Sequence, residues 1–369
     1  MHFLVTFSEI TLKSERVRTW MERELQNNIN QRIGARKVEN LGSIFHFEGV
    51  ESEIELLKCI PGISTIFICD ELTGNDLTGK LLDHVVELAS SFSGTFAIRS
   101  RNLVGSSTEL NGLLGAKAVE KYGLKVDLEN PQNIVYVRLE KERAFIGSKI
   151  IAGLGGLPYG SQGKVLVLFS GGIDSPLASL MFLRKGCHPY FLFFDIAPFH
   201  GDGVVERAKN ALGCLKEYAG KIELITIPFG DVLNRIVESQ HRGLTCVMCK
   251  RSMYRAANII AKKHGAIAIV TGDSLGEVAS QTLQNLSVLD DASEMMVLRP
   301  LIGFTKQESV DMSKKYKLFG AYSKLVSCTA VPSHVDTAAI LSKVKNEEER
   351  LCLDKLIEAS VENAKFEKI

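Results

Sequence analysis

The chain of 369 residues has no apolar run approaching the ~20 residues that a membrane-spanning helix needs, so no membrane partner is expected. Its first residues, MHFLVTFSEITLKSERVR, lack the layout of a secretory signal, because charged side chains directly follow one short apolar stretch. A cytoplasmic location is the expectation. Net charge is nearly absent, with 44 lysines and arginines against 43 aspartates and glutamates. The chain is therefore no polycation, and any nucleic acid must be met by a local basic face. The eight cysteines are too scattered for a small secreted disulfide scaffold, so a close pair reads as metal or redox chemistry. Internal repeats and low-complexity tracts are also lacking. The length exceeds one typical domain, and two or three are expected.

What is present alternates between strand and helix patterns. HFLVTF reads as a strand, and SERVRTWMERELQNNINQRI as a helix with Val17, Trp20, Met21, Leu25 and Ile29 on one face. ARKVENLGSIFHF reads as two short strands around residues 40–42. After Pro61–Gly62 come a strand (ISTIFICDEL), a helix (LTGKLLDHVVELASS), a strand (GTFAIRSR), a helix (TELNGLLGAKAVEKYGL) and a hairpin (NIVYVRLEKERAFIGSKII). Five of the twelve residues from Ala152 to Gly163 are glycine, which marks a linker or a functional loop.

Beyond Gly163 the strands are separated by longer helices. KVLVLF is almost wholly apolar, as in a strand buried on both faces of a parallel sheet. SPLASLMFLRKG and CKRSMYRAANIIAKKHG are helices ended by Gly186 and Gly265, and HPYFLFFD, KIELITIPF and AIAIVTGD are further strands. Thr305 and Glu308 open a helix over 305–319 with a T-x-x-E capping box. The charged C-terminus reads as a last helix. This half is α/β, a doubly wound parallel sheet.

LFSGGIDSPLAS, at 168–179, joins the first of these strands to its helix. Ligands of open parallel sheets bind beyond the carboxyl ends of the strands. Gly171 and Gly172 let backbone N–H groups turn inward, the helix start adds free donors, and Ser170 and Ser175 add hydroxyls. Asp174 is placed to organise Mg²⁺ or neighbouring loop groups. The string is neither a G-x-x-x-x-G-K-[ST] loop nor the G-x-G-x-x-G dinucleotide fingerprint. A tight turn with a capping serine is the plain alternative.

VLFSGGIDSP resembles the PP-loop of ATP pyrophosphatases. With GLGGLPYGSQG before it, IVTGDSLGEVASQTLQNL at 269–286 and LRPLIGFTKQE at 298–308, it is similar to the tRNA 4-thiouridine synthase (tRNA sulfurtransferase) family over essentially the whole chain. The resemblance implies a ferredoxin-like α+β domain over 1–58 and a THUMP RNA-binding α+β domain over 59–163. A PP-loop (adenine nucleotide alpha hydrolase-like) catalytic domain follows over 164–369. It implies ATP contacts at Leu168, Phe169, Ser170, Gly171, Gly172, Asp174 and Ser175, at Phe193 and Phe194 on the adenine side, and at Lys250, Gly272 and Gln281, with Arg251 as the alternate to Lys250. Lys306 matches a family lysine that would stabilise charge on the phosphates or leaving group. Packing is the alternative for at least one of the two phenylalanines, and a solvated first-turn lysine for Lys306.

The implied reaction is ATP-dependent: adenylation of uridine O4 at position 8 of tRNA, followed by replacement with sulfur. Cys328 matches the catalytic-domain cysteine on which the family carries sulfur. Cys246 and Cys249 form a C-x-x-C at a helix start, where free donors favour thiolates. With Cys328 they match a trio that holds a [4Fe–4S] cluster in cluster-dependent thiolases. A redox or persulfide-resolving pair, or zinc with His241 or His264, are the other readings of a lone C-x-x-C. Too few residues follow Cys328 for the rhodanese domain that some members carry, so sulfur is expected from a cysteine desulfurase or free sulfide. Homodimerisation is expected by analogy. For the tRNA, Arg99 and Arg101 share a strand face, Lys117 and Lys121 a helix face, and Arg138, Arg143 and Lys149 lie on the hairpin. These could hold phosphates by shape. The competing readings are tRNA 2-thiolation, sulfur transfer toward thiamine thiazole, an amidotransferase or synthetase, and a non-catalytic RNA-binding protein.

Overall fold

The computed structural model describes residues 1–318 and 328–369. Phe319, at the end of the expected helix, and residues 324–327, ahead of Cys328, lie outside them. The chain forms two compact units, Met1–Gly156 and Leu157–Ile369.

The first unit is built on one eight-stranded sheet. Its strands are β1 (His2–Thr6), β2 (Glu39–Asn40), β3 (Ile44–Glu48), β4 (Thr65–Thr73), β5 (Thr95–Asn102), β6 (Lys125–Val126), β7 (Asn133–Leu139) and β8 (Arg143–Ala152). They lie in the order β2-β3-β1-β4-β8-β7-β5-β6. Compact division therefore does not fall at residue 58. β1 pairs with β4 from Thr6–Thr65 to His2–Cys69, so the backbone hydrogen bonds run straight across the expected boundary. The helix Glu15–Ile33 buries Met21, Leu25 and Ile29, while Val17 and Trp20 are exposed, at 37% and 43%. Its apolar stripe is thus narrower than the spacing suggested. Under β5, β7 and β8, the helices Leu77–Ala89 and Ser107–Tyr122 pack Leu81, Val85, Leu114 and Ala118 on Phe96, Val135 and Ile146. Removing this apolar area from water, at roughly 25 cal/mol per Å², holds the helices to the sheet.

The glycine-rich stretch is ordered and hydrogen-bonded. Gly153 and Gly155 donate to Ser64 and Ile63 in the first unit, and Leu157 and Gln162 to Arg184 and Gly186 in the second. A Cβ on Gly153 would fall 2.4 Å from the Ile63 carbonyl oxygen, so glycine here answers to a close approach of two backbones. The compact division lies inside this stretch, after Gly156, ahead of the expected boundary at 163.

The second unit is a six-stranded sheet of β9 (Lys164–Leu168), β10 (His188–Asp195), β11 (Glu223–Pro228), β12 (Ala268–Val270), β13 (Met296–Leu298) and β14 (Lys365–Lys368), in the order β13-β12-β9-β10-β11-β14. The first five are parallel, and the chain reverses strand order around β9, the switch point where such sheets bind ligands. The C-terminus differs from the expected helix: after the helix Leu353–Glu362, β14 pairs antiparallel with β11. An open edge of β11 supplies unpaired N–H and C=O groups, and strand pairing satisfies them where a fraying helix would not.

Candidate functional site

The carboxyl edge of β9 turns into the helix Asp174–Arg184 through Ser170–Ile173. Gly171 has φ +69°, and a Cβ there would lie 2.8 Å from the Ala208 Cα, so only glycine lets the loop pass. Ser170 Oγ accepts from the Gly172 N–H at 3.3 Å, and Ser175 Oγ donates to the Gly172 carbonyl at 3.4 Å. From the neighbouring strand end, Gly272 closes on the same loop. A Cβ on it would meet the Asp174 carbonyl carbon at 3.0 Å.

Beyond these strand ends lies a cavity of about 380 Å³. Of the ATP contacts read from the sequence, Leu168, Phe169, Ser170, Asp174, Ser175, Phe193, Phe194, Lys250, Gly272 and Gln281 line it, and so does Cys328. Phe193 and Phe194 also serve packing: both are buried, and Phe194 meets Phe229 edge-on with centroids 4.9 Å apart. Arg251 is a correction. It is 2% exposed, and its guanidinium is bound by Glu348 (2.8 Å), Asp291 (3.1 Å) and the Val288 carbonyl. Successive helical residues point about 100° apart, so Lys250 and its neighbour cannot both face the cavity.

Asp174 and Lys306 meet. Lys306 Nζ lies 2.7 Å from Asp174 Oδ2 and 2.7 Å from Glu277 Oε1, although Lys306 opens the helix Lys306–Lys315 behind the expected capping box. These two carboxylates account for a cation at a helix N-terminus. Burial raises the Asp174 carboxyl above its ordinary value, against the pull of Lys306. Burial opposes the Lys306 charge, but Asp174 and Glu277 outweigh it and raise the ammonium. Asp174 Oδ1 is buried without a hydrogen-bond partner, an orphan acceptor beside the loop.

The sequence reading missed the group that arranges the floor. Asp273 is 7% exposed and accepts from Lys250 Nζ at 3.1 Å, Gln281 Nε2 at 2.9 Å and Thr271 Oγ1 at 2.8 Å. Burial would raise its carboxyl, yet Lys250 and the hydrogen bonds from Gln281 and Thr271 hold it at about 2. Its place one residue past Gly272, at a strand end, was the available signal. His200 was missed as well: it lines the cavity, with Nε2 2.7 Å from Asp195 Oδ1.

Cys246 and Cys249 occupy the first turn of the helix Thr245–His264. The expectation that this helix start favours thiolates is not met. Burial first, then the charge of Cys328, raises the Cys246 thiol, and burial with Cys328 and Cys246 pushes Cys249 up to about 12. Burial thus disfavours the free thiolates of Cys246 and Cys249, and coordination to a metal centre reverses that preference.

On the first unit, Arg99, Arg101, Lys117, Lys121 and Lys149 are exposed. Arg138 and Arg143 are corrections. Arg138 is buried against Glu140 at 2.8 Å, and Arg143 is held by Glu39 at 2.7 Å and Glu71 at 3.4 Å. Breaking such partly buried pairs to reach a phosphate would leave carboxylates uncompensated. No helix among the described residues is long and apolar enough to cross a membrane.

Comparison with known proteins gives two family matches: "Thiamine biosynthesis protein (ThiI)" over residues 160–353 and "THUMP domain" over 76–149. A probable tRNA sulfurtransferase of Methanobrevibacter smithii is 35% identical over 93% of this chain and 93% of its own length. One of Saccharolobus solfataricus is 34% identical over 95% of this chain and 96% of its own. A crystal structure of a 4-thiouridine synthetase–RNA complex with bound ATP is 29% identical with a TM-score of 0.90, covering 100% of this chain and 99% of that one.

Proposed function

The chain belongs to the tRNA sulfurtransferase family, and from that premise we propose that it thiolates tRNA with ATP, converting uridine 8 to 4-thiouridine. The observation that carries this reading is the shared cavity: Ser170, Asp174 and Ser175 of the loop and Cys328 line the same 380 Å³ space. Activation and sulfur delivery thus have one address.

Uracil O4 is amide-like, and oxide does not leave. ATP binds with its phosphates at the loop's N–H groups and the helix start, and its base on the Phe193–Phe194 side. Attack of O4 on the α-phosphorus forms the O4–P bond and expels pyrophosphate, whose charge falls to Lys306 and Lys250. Hydrosulfide presented beside Cys328 then attacks C4: the C4–S bond forms, the C4–O4 bond breaks, AMP leaves with the former O4, and the sulfur's proton passes to solvent. Water must be excluded while the adenylated base persists, which suits a cavity walled by buried Phe169, Phe193 and Phe194.

Two groups support these steps. Asp174 Oδ1, the orphan carboxylate oxygen, is the residue atom that would hold Mg²⁺, which neutralises phosphate charge when bound. Cys246, Cys249 and Cys328 would hold an iron–sulfur cluster, which when bound supplies an iron not ligated by protein at which sulfide is activated. The tRNA is met by Arg99, Arg101, Lys117, Lys121 and Lys149. The sulfur donor is a cysteine desulfurase or free sulfide, and the working form is a cytoplasmic homodimer.

The test uses the purified chain with an unmodified tRNA transcript, ATP, Mg²⁺ and sulfide under anaerobic conditions. Pyrophosphate release together with a new thiocarbonyl absorbance supports the reading. Cys328→Ala should retain pyrophosphate release and lose the absorbance. Failure of both signals in the unaltered protein would falsify it.

A further inference from the structure

We propose that His2, His46 and Glu71, in the first unit, form a binding site for a divalent cation of the zinc class, separate from the cysteine trio and from the reaction proposed above. Among the described residues they are the one group of three or more ligand-type side chains whose donor atoms all lie within 4.8 Å of one another.

The sheet brings them together. β1 pairs with β3 on one side and β4 on the other. Leu4 faces His46 on β3, and His2 faces Cys69 on β4, so His46 and Glu71 are each one diagonal step from His2 on the same face. His2 Nδ1 lies 3.1 Å from His46 Nε2 and 3.6 Å from Glu71 Oε2. A tetrahedral ion with ligand bonds of about 2.0–2.1 Å places its donors about 3.3–3.4 Å apart, so small shifts of these side chains suffice.

The surroundings fix the donors. His46 is buried, and its Nδ1 faces Glu39 Oε2 at 3.4 Å. A carboxylate behind the far ring nitrogen sets the tautomer and leaves Nε2 as a lone pair facing His2. Arg143 engages Oε1 of Glu71 at 3.4 Å, so Oε2 is the oxygen that points to His2. Two imidazole nitrogens 3.1 Å apart must share one proton or one cation. Cation binding therefore displaces the proton between the rings, and His2 takes the tautomer protonated on Nε2 through exchange with solvent. Imidazole and carboxylate donors without thiolate suit Zn²⁺, Co²⁺ or Ni²⁺. Ligands from three neighbouring strands would fasten β3, β1 and β4 together, so the site is structural, stiffening the unit that carries the THUMP match.

The experiment titrates Zn²⁺ by calorimetry into the full-length, tag-free chain carrying Cys246→Ala, Cys249→Ala and Cys328→Ala, which removes competing thiolates. One equivalent of Zn²⁺ is expected, with a rise in melting temperature. Glu39→Gln, which removes the carboxylate behind His46 and also loosens Arg143 toward Glu71, should weaken binding about 10- to 100-fold, and His2→Asn or Glu71→Gln by more. His2 sits half-buried at the start of the chain, so His2→Asn tests the ligand with little folding cost. In the same triple variant, Co²⁺ is the second probe: ligand-field absorption of an imidazole–carboxylate site, lost in His2→Asn. Absence of Zn²⁺ uptake, or uptake unchanged by both His2→Asn and Glu71→Gln, overturns the site and leaves the thiolation reading untouched.

Discussion

At the scale of single residues, Lys250 and Arg251 show how adjacent cations divide their labour. Lys250 reaches the cavity and Asp273, whereas Arg251 locks the helix Thr245–His264 to Glu348 and Asp291. Lys250→Ala should weaken ATP binding and also lower stability, because it takes the principal cation from buried Asp273. Arg251→Ala should cost about 3 kcal/mol or more by stranding buried carboxylates, seen as a lower denaturation midpoint. Asp273 adds a pH dependence. Its carboxyl lies at about 2 in the folded chain against 3.8 ordinarily. A depressed carboxyl stabilises the fold fully above its unfolded value, and that contribution disappears as pH falls through about 2. Wild type should thus lose on the order of 2 kcal/mol between about pH 4 and pH 2, and Asp273→Asn should flatten that part of the profile in acid denaturation. The sequence could show that Lys250 and Arg251 are both basic and sit near a cysteine pair. Which one faces the ligand depends on helix rotation against partners almost a hundred residues away, and no local pattern records that.

At the scale of elements, the loop after β9 was readable because its requirement is local. Two glycines between a buried strand and a helix start state a backbone geometry directly. Gly171→Ala tests that statement. A left-handed φ of +69° costs an alanine roughly 1–2 kcal/mol, and the Cβ would also press on the Ala208 backbone, which has no flexible end to yield. Gly172→Ala meets only Ser170 Oγ, at 3.4 Å, and is expected to fold normally. A thermal melt of both variants, with ATP affinity measured beside it, separates loop shape from loop chemistry. The capping box of Lys306–Lys315 was equally local and is present with both of its hydrogen bonds. Two departures from the sequence reading, one on the first helix and one in the last residues after the helix Leu353–Glu362, were set by tertiary partners. Trp20 and Val17 fit a helical apolar face but have nothing to cover them within the described unit. The C-terminal residues pair because β11 leaves an edge.

At the scale of the whole molecule, near-neutral composition concealed where cations are free. The hairpin arginines Arg138 and Arg143 look equivalent to Arg99 and Arg101 in sequence, yet Glu140, two residues on, holds buried Arg138, and Glu39 and Glu71 from other strands hold Arg143, whereas Arg99 and Arg101 stay exposed. That difference fixes the ionic signature of tRNA binding. Each phosphate neutralised contributes roughly 0.7–0.9 to the slope of log K against log salt. The five exposed candidates, Arg99, Arg101, Lys117, Lys121 and Lys149, therefore bound the slope from this face at about 4. Replacing both Arg99 and Arg101 by alanine should lower it by about 1.4 to 1.8, read from filter binding of a tRNA transcript across a salt series. Replacing Arg143 should leave the slope unchanged and lower the melting temperature, since its charge is committed to Glu39 and Glu71. An equal fall in slope for Arg143→Ala would mean that the ion pairs open on binding, and the division between structural and RNA-facing cations would have to be redrawn.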